Sequence, residues 1–131
     1  MSDLNPKSKE IMLNGTKYGM RFTINAIDDI QEHFDIPISE LSKIMNDERH
    51  SISNLRYILT VLINEDIDIR NDLGEQLQPV TERYVGRHIN TDNMSEIIGA
   101  IYGCFNDGAP KVDNDDSEDL DPNLMTGLQK K

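Results

Sequence analysis

From Ile11 to Phe22 the chain reads IMLNGTKYGMRF, an Asn-Gly pair between two short runs in which apolar and polar residues alternate. Asn-Gly is the dipeptide that most readily accepts positive φ at both central positions of a type I′ turn, whose twist matches a pair of antiparallel strands. With Asn14 and Gly15 at the centre, Leu13 faces Thr16 and Ile11 faces Tyr18. One face then carries Ile11, Leu13, Tyr18, Met20 and Phe22, and the other Glu10, Lys17, Gly19 and Arg21, with Met12 as the exception to the alternation. A lone two-stranded hairpin is marginal in water, so its apolar face needs a cover from the rest of the chain.

That cover reads as helical. After Thr23, a plausible N-cap, the period changes from two to about 3.6, with Ile24, Ile27, Ile30 and Phe34 in a stripe and Asp28, Asp29, Glu32 and Asp35 away from it. A short second helix follows Pro37, with Ile38, Leu41, Ile44 and Met45 on one face. The run SISNLRYILTVLIN is the most apolar and reads as the central helix, with Leu55, Ile58, Leu59 and Leu62 as its inner stripe and Ile52, Val61 and Ile63 widening it. Residues 64–79 are rich in turn formers, and Ile67 and Ile69 alternate with acids in a way that predicts a brief second hairpin around NDLGE. Thr81 reads as the N-cap of a fourth helix carrying Tyr84, Val85, His88 and Ile89, with Val80 and Val85 spaced as a hydrophobic staple. Met94, Ile97, Ile98, Ile101, Tyr102 and Phe105 predict a fifth, ended by Gly108 and Pro110. The expected architecture is α+β, mainly α: a flexible leader over 1–8, one domain over 9–107 with an N-terminal β-hairpin packed on four to five short helices, and a disordered acidic C-terminal tail over 108–131.

The totals narrow the function. With 131 residues, 37% of them apolar, one core is affordable and two are not. Acids number 24 against 13 Lys plus Arg, a formal charge of -11, so nucleic acid and anionic membrane surfaces are disfavoured partners. The start lacks the basic and apolar regions of a signal peptide, and no apolar run approaches membrane-spanning length. Cys104 is the single cysteine, which excludes an internal disulfide and fits synthesis in the cytoplasm.

No chemistry-bearing pattern stands out. Asp113, Asp115, Ser117, Asp119 and Asp121 alternate as in a calcium loop, but Glu118 stands where that loop's turn needs Gly and Leu124 where its bidentate Glu belongs. His33, His50 and His88 fall on different segments without a second ligand at helical spacing, so surface or boundary histidines are expected and no metal. Cys104 has no histidine or nucleophile motif near it and reads as a buried structural thiol. The acid pairs Asp28 and Asp29, Glu65 and Asp66, and Asp115 and Asp116 read as surface charge, because neighbouring helical residues point apart. The glycines of LNGTKYG lack the order of a phosphate cradle. The expectation is a protein that is no enzyme and carries no cofactor.

The run from Glu10 to Met45 resembles the beginning of tail assembly chaperones of long-tailed bacteriophages and prophages of Gram-positive bacteria. The matching residues are Asn14, Gly15, Tyr18, Met20 and Phe22 in the hairpin, Asn25, Ala26 and Ile27 in the helix after it, and Ile36, Ile38, Glu40 and Leu41 beyond. The likeness is strong over about a third of the chain and loose over the remainder, where YVGRHI and the acidic ending are similar only in kind. What the resemblance implies is a non-enzymatic assembly factor of the host cytoplasm that binds the tape measure protein, helps recruit tail tube subunits and is absent from the mature virion. It also implies a longer frameshifted product, and Gln129, Lys130 and Lys131 can be encoded by a slippery A AAA AAG. Asn14, Gly15, Tyr18, Met20 and Phe22 would then be structural, with the hairpin edge open to a partner strand or to self-association. The alternatives are a small acidic regulatory protein, such as an inhibitor or nucleic-acid mimic, or a minor structural component of the virion.

Overall fold

The computed structural model describes residues 9–110. Expectations placed on 1–8 and 111–131, including the tail beyond 110, the calcium-like loop and the Asp115 and Asp116 pair, lie outside the described residues, while Gly108, assigned to the tail, is the last residue of the final helix.

Strands β1 (Lys9–Leu13) and β2 (Thr16–Met20) form the hairpin, antiparallel and in the register set by the turn, with Leu13 opposite Thr16 and Ile11 opposite Tyr18. Both turn residues have positive φ, 54° at Asn14 and 75° at Gly15, as a type I′ turn demands. Helix α1 (Ile24–Phe34) is capped by Thr23, whose Oγ1 accepts the Ala26 N–H at 3.0 Å. A 3-10 turn (Ile38–Glu40) leads into α2 (Leu41–Met45), then come α3 (Ser51–Asp72), α4 (Glu82–Arg87) and α5 (Met94–Gly108). The fold is α+β and mainly helical. Helix α3 is its axis, touching β2, α1, α2 and α4, while α5 packs on β1.

Every element contributes to one apolar cluster. Leu13, Met20 and Phe22 from the hairpin and its exit meet Ile30, Ile44, Leu59, Ile63, Val85 and Ile101 from the five helices. Phe22 is fully buried and meets Phe105 edge-on at a centroid distance of 5.2 Å, the spacing at which ring quadrupoles attract. The hairpin's apolar face is covered as its marginal stability requires.

Three expectations are corrected. Helix α3 has 22 residues and is not short, and no second hairpin forms around NDLGE. The alternation of Ile67 with Ile69 is incidental: the operative spacing is Leu59, Ile63, Ile67, one buried residue per turn, with Asp68 and Asp72 on the outer side. The helix stops at Gly74, φ 107°, where Gly74 N–H donates to Asn71 O and Glu75 N–H to Arg70 O, the double bond pattern of a Schellman cap. Ile24 and Ile52, placed on core stripes by their spacing, are 58% and 63% exposed, because each lies in the first turn of its helix where no described residue covers that side. Gly19 and Arg21, assigned to the solvent face of the hairpin, are buried and half-buried, since α3 covers the far end of β2.

The turn formers of 64–79 have another use. Asn64 and Asn71 are two helical turns apart on α3, and each grips the returning chain with both ends of its amide. Asn64 Nδ2 donates to Val80 O at 2.9 Å while its Oδ1 accepts the Val80 N–H at 2.8 Å. Asn71 does the same with Leu77, at 3.0 and 2.8 Å. Side-chain amides thus supply the partners that a second strand would have offered to residues 77–80. Asn64→Ala removes two half-buried hydrogen bonds and is expected to cost about 2 kcal/mol, read from the urea midpoint; Asn64→Asp, which keeps only the acceptor, should fall between the variant and the wild type.

Candidate functional site

The residues singled out by sequence lie in the scaffold. Asn14 and Gly15 make the turn, and Met20 and Phe22 have no exposed surface. Tyr18 is half-buried and its hydroxyl meets that of Tyr84 on α4 at 2.8 Å, with the two rings edge to face. Burial, reinforced by the hydrogen bond to Tyr84, pushes the Tyr18 pKa up to about 12. The pair clasps the hairpin to α4.

A stronger clasp joins the hairpin to α3. Asp66, read as surface charge, is 2% exposed. Arg21 Nε donates to its Oδ1 at 2.8 Å, and an Arg70 guanidinium nitrogen lies 3.9 Å from its Oδ2. The carboxyl occupies the space over Gly19, where any Cβ would fall 2.7 Å from the Asp66 carboxyl carbon. One turn earlier on α3, Leu62 O accepts the Arg21 N–H at 3.1 Å, and beside Asp66 the Glu65 carboxylate accepts the Thr23 hydroxyl. The reading of Glu65 and Asp66 as plain surface charge fails because Arg21 and Thr23, which donate to them, come from more than forty residues away in sequence.

The histidines are at or near the surface: His50 lies beside Asp47 at 3.3 Å, His33 stacks on Tyr57 at a centroid distance of 3.7 Å, and His88 meets Tyr84. Cys104 is fully buried and its thiol donates to Met20 O at 3.5 Å. Burial pushes that thiol up to about 11, which leaves it a poor nucleophile at neutral pH. No group of three metal-ligating side chains occurs among the described residues, and no helix there is long and apolar enough to cross a membrane.

One surface feature that can hold a partner is a groove of about 500 Å³ between the start of α3, α4 and the start of α5. Ile52, Ile89 and Met94 give it an apolar lining, and Arg56, Arg83 and Arg87 supply three of the chain's six arginines with no carboxylate among the lining residues. Gly86 makes room for the Arg56 stem, since a Cβ there would meet Arg56 Cδ at 2.7 Å. Arg56 Nε is buried, has no hydrogen bond among the described residues and has the Glu82 carboxylate at 3.6 Å, an ion-pair distance. Asn90 and Asn93 fix the turn at the groove's edge: Asn93 Oδ1 accepts the Asn90 N–H at 2.8 Å, and Asn93 Nδ2 donates to His88 O at 2.9 Å. A second depression of about 350 Å³, lined by Thr91, Met94, Ser95 and Ile98, shares two residues with the first and carries it along α5. Sequence reading did not single out these arginines. The signal within reach was Arg83 and Arg87, four apart on a predicted helix of an otherwise acidic chain; Arg56 is added only by the fold.

Two expected outcomes follow from these clasps. Asp66→Ala leaves Arg21 without its buried carboxylate and should cost about 3 kcal/mol in urea unfolding. Gly19→Ala should be similarly damaging alone yet nearly harmless when added to Asp66→Ala, a coupling that a double-mutant cycle reads directly. Alkali gives the second. Tyr18 and Cys104 hold their protons more tightly folded than unfolded, so unfolding releases protons, and stability present below pH 9 falls as pH rises toward about 11 and then about 12. Tyr18→Phe should flatten the part of that fall between pH 10 and about 12, followed by urea midpoints across the range.

No protein family, curated protein or solved structure matches the chain.

Proposed function

We propose that this chain is a non-enzymatic tail assembly chaperone of a long-tailed bacteriophage or prophage, acting in the host cytoplasm on the tape measure protein and on tail tube subunits. The observation that carries the reading is the run of resembling residues from Asn14 to Leu41. In this structure Asn14 and Gly15 form the turn, and Met20, Phe22, Ala26, Ile27, Ile38 and Leu41 are core. The resembling positions therefore specify a scaffold, and recognition falls to other residues.

The groove and its extension along α5 are suited to that task. A tape measure protein is a long helical chain with apolar stripes, and a helix seats such a stripe in a groove by presenting side chains at i, i+3 or i+4, and i+7. Ile52, Ile89, Met94 and Ile98 offer the apolar floor that such a stripe needs. The net charge of -11 favours solubility when many copies gather on one filament.

The test is co-expression with a tape measure protein, the long helical chain that this reading expects a neighbouring gene to encode. A stable complex that Met94→Glu with Ile52→Glu weakens at least roughly tenfold, the loss of about 1.4 kcal/mol, is the expected result. A full-length partner that fails to co-purify, or a chain present stoichiometrically in purified particles, overturns the reading.

A further inference from the structure

The groove between α3, α4 and α5 is a concentration of positive charge on a chain whose formal charge is -11. Three guanidinium groups held near one another repel, and the only carboxylate at ion-pair distance from any of them among the described residues is Glu82, on Arg56. Arg83 and Arg87 are exposed, one helical turn apart on α4, and face the lining shared with Ile52, Ile89 and Met94. A site of this kind selects an occupant with several carboxylates and a few apolar side chains close together.

The chain itself carries one. Beyond Pro110 the sequence runs KVDNDDSEDLDPNLMTGLQKK, with six acids between Asp113 and Asp121 and with Leu120, Leu124 and Met125 beside them. We propose that this segment docks in the groove of its own chain from Glu118 to Met125, with Glu118, Asp119 and Asp121 on Arg56, Arg83 and Arg87 and its apolar residues on Ile52, Ile89 and Met94.

The reach is sufficient. The segment leaves the fold at the C-terminal end of α5, whose 15 residues span about 22 Å back to Met94 at the groove. At about 3.3 Å per extended residue, the ten steps from Pro110 to Leu120 cover about 33 Å, which leaves slack for turning back. The shallower depression lined by Ser95 and Ile98 lies on α5 between that exit and Met94 and gives the returning chain a path. Tethering favours this occupant over a free acidic peptide, because a short linker holds the segment at an effective concentration on the order of millimolar. A partner chain entering the groove has to displace it. The inference stands apart from the chaperone reading, and its failure would leave that reading as it was.

The test uses the full chain. A nitroxide attached after Ser117→Cys reports on distance, and Cys104 remains unlabelled at neutral pH because its thiol is buried and protonated. With the other nuclei labelled with nitrogen-15, the amides of Ile52, Arg56 and Arg83 to Met94 should lose at least roughly threefold more signal than those of α1 at low ionic strength, where charge attraction is weakly screened. In Arg83→Glu with Arg87→Glu, both exposed and remote from the core, the excess should vanish while the spectrum keeps its dispersion. Salt at about 0.5 M should reduce the excess in the unaltered groove. Uniform broadening, or broadening centred elsewhere, overturns the proposal. An excess seen only when spin-labelled chains are mixed with separately nitrogen-15-labelled ones overturns it in favour of a second copy's segment.

Discussion

The fold depends on how one turn of α3 takes hold of residues 21 to 23. Here the chain changes from a strand with period two to a helix with period 3.6, and nothing in the hairpin itself sets the angle between them. Leu62 O takes the Arg21 N–H, Asp66 takes the Arg21 side chain, and Glu65 takes the hydroxyl of Thr23, which in turn caps α1. Burying the Asp66 carboxylate is costly, and an ion pair of this kind adds little net stability over a well-packed apolar pair in place of both partners. Its effect is on uniqueness: a carboxyl that needs Arg21 on one side and the bare backbone of Gly19 on the other is satisfied in a single docking of hairpin on helix. Phe22, the next residue, is then delivered to the core against Phe105.

That arrangement explains which parts were legible in the sequence. The Asn14-Gly15 turn, the strand register, and the Thr23 and Thr81 caps are decided within four or five residues by sterics and nearest backbone donors, so the local sequence suffices. The length of α3 was not legible, because Asp66 looks like a solvent residue until Arg21 is brought to it, and Asn64 and Asn71 look like turn residues until a second stretch of chain lies beside them. The exposed Ile24 and Ile52 mark the same limit from the other direction: period identifies a helix face and says nothing of whether a neighbour reaches its first turn. The groove was the least legible feature, since its arginines come from two helices and matter only in combination.

Hairpin scaffold and groove are built from different residues. None of Asn14, Gly15, Tyr18, Met20 or Phe22 lines the groove, yet Tyr18 supports it by holding α4 through Tyr84, two residues before Gly86. Gly86 lets the Arg56 stem lie against α4, and Glu82 on the preceding turn keeps its guanidinium in place. A short helix of six residues has little stability of its own. It is fixed at its start by Thr81, along one side by Val85 in the core, and on another by Tyr18. Arg83 and Arg87 are thus presented on a platform that the hairpin steadies.

Such presentation matters because gathering like charges opposes itself. Arg83 and Arg87 repel each other and Arg56, and among the described residues only Arg56 has a carboxylate close by. Water screens the exposed pair, so the repulsion is small while the groove is open and grows if an uncharged occupant excludes water. An occupant bearing carboxylates reverses the sign of that term, whereas a purely apolar helix has to seat itself beside Arg83 and Arg87, neither of which has a carboxylate at ion-pair distance among the described residues. The groove therefore discriminates against apolar surfaces that carry no acid, and the apolar floor discriminates against acids that bring no side chain to bury. Both requirements together describe an amphipathic acidic segment, whichever chain supplies it.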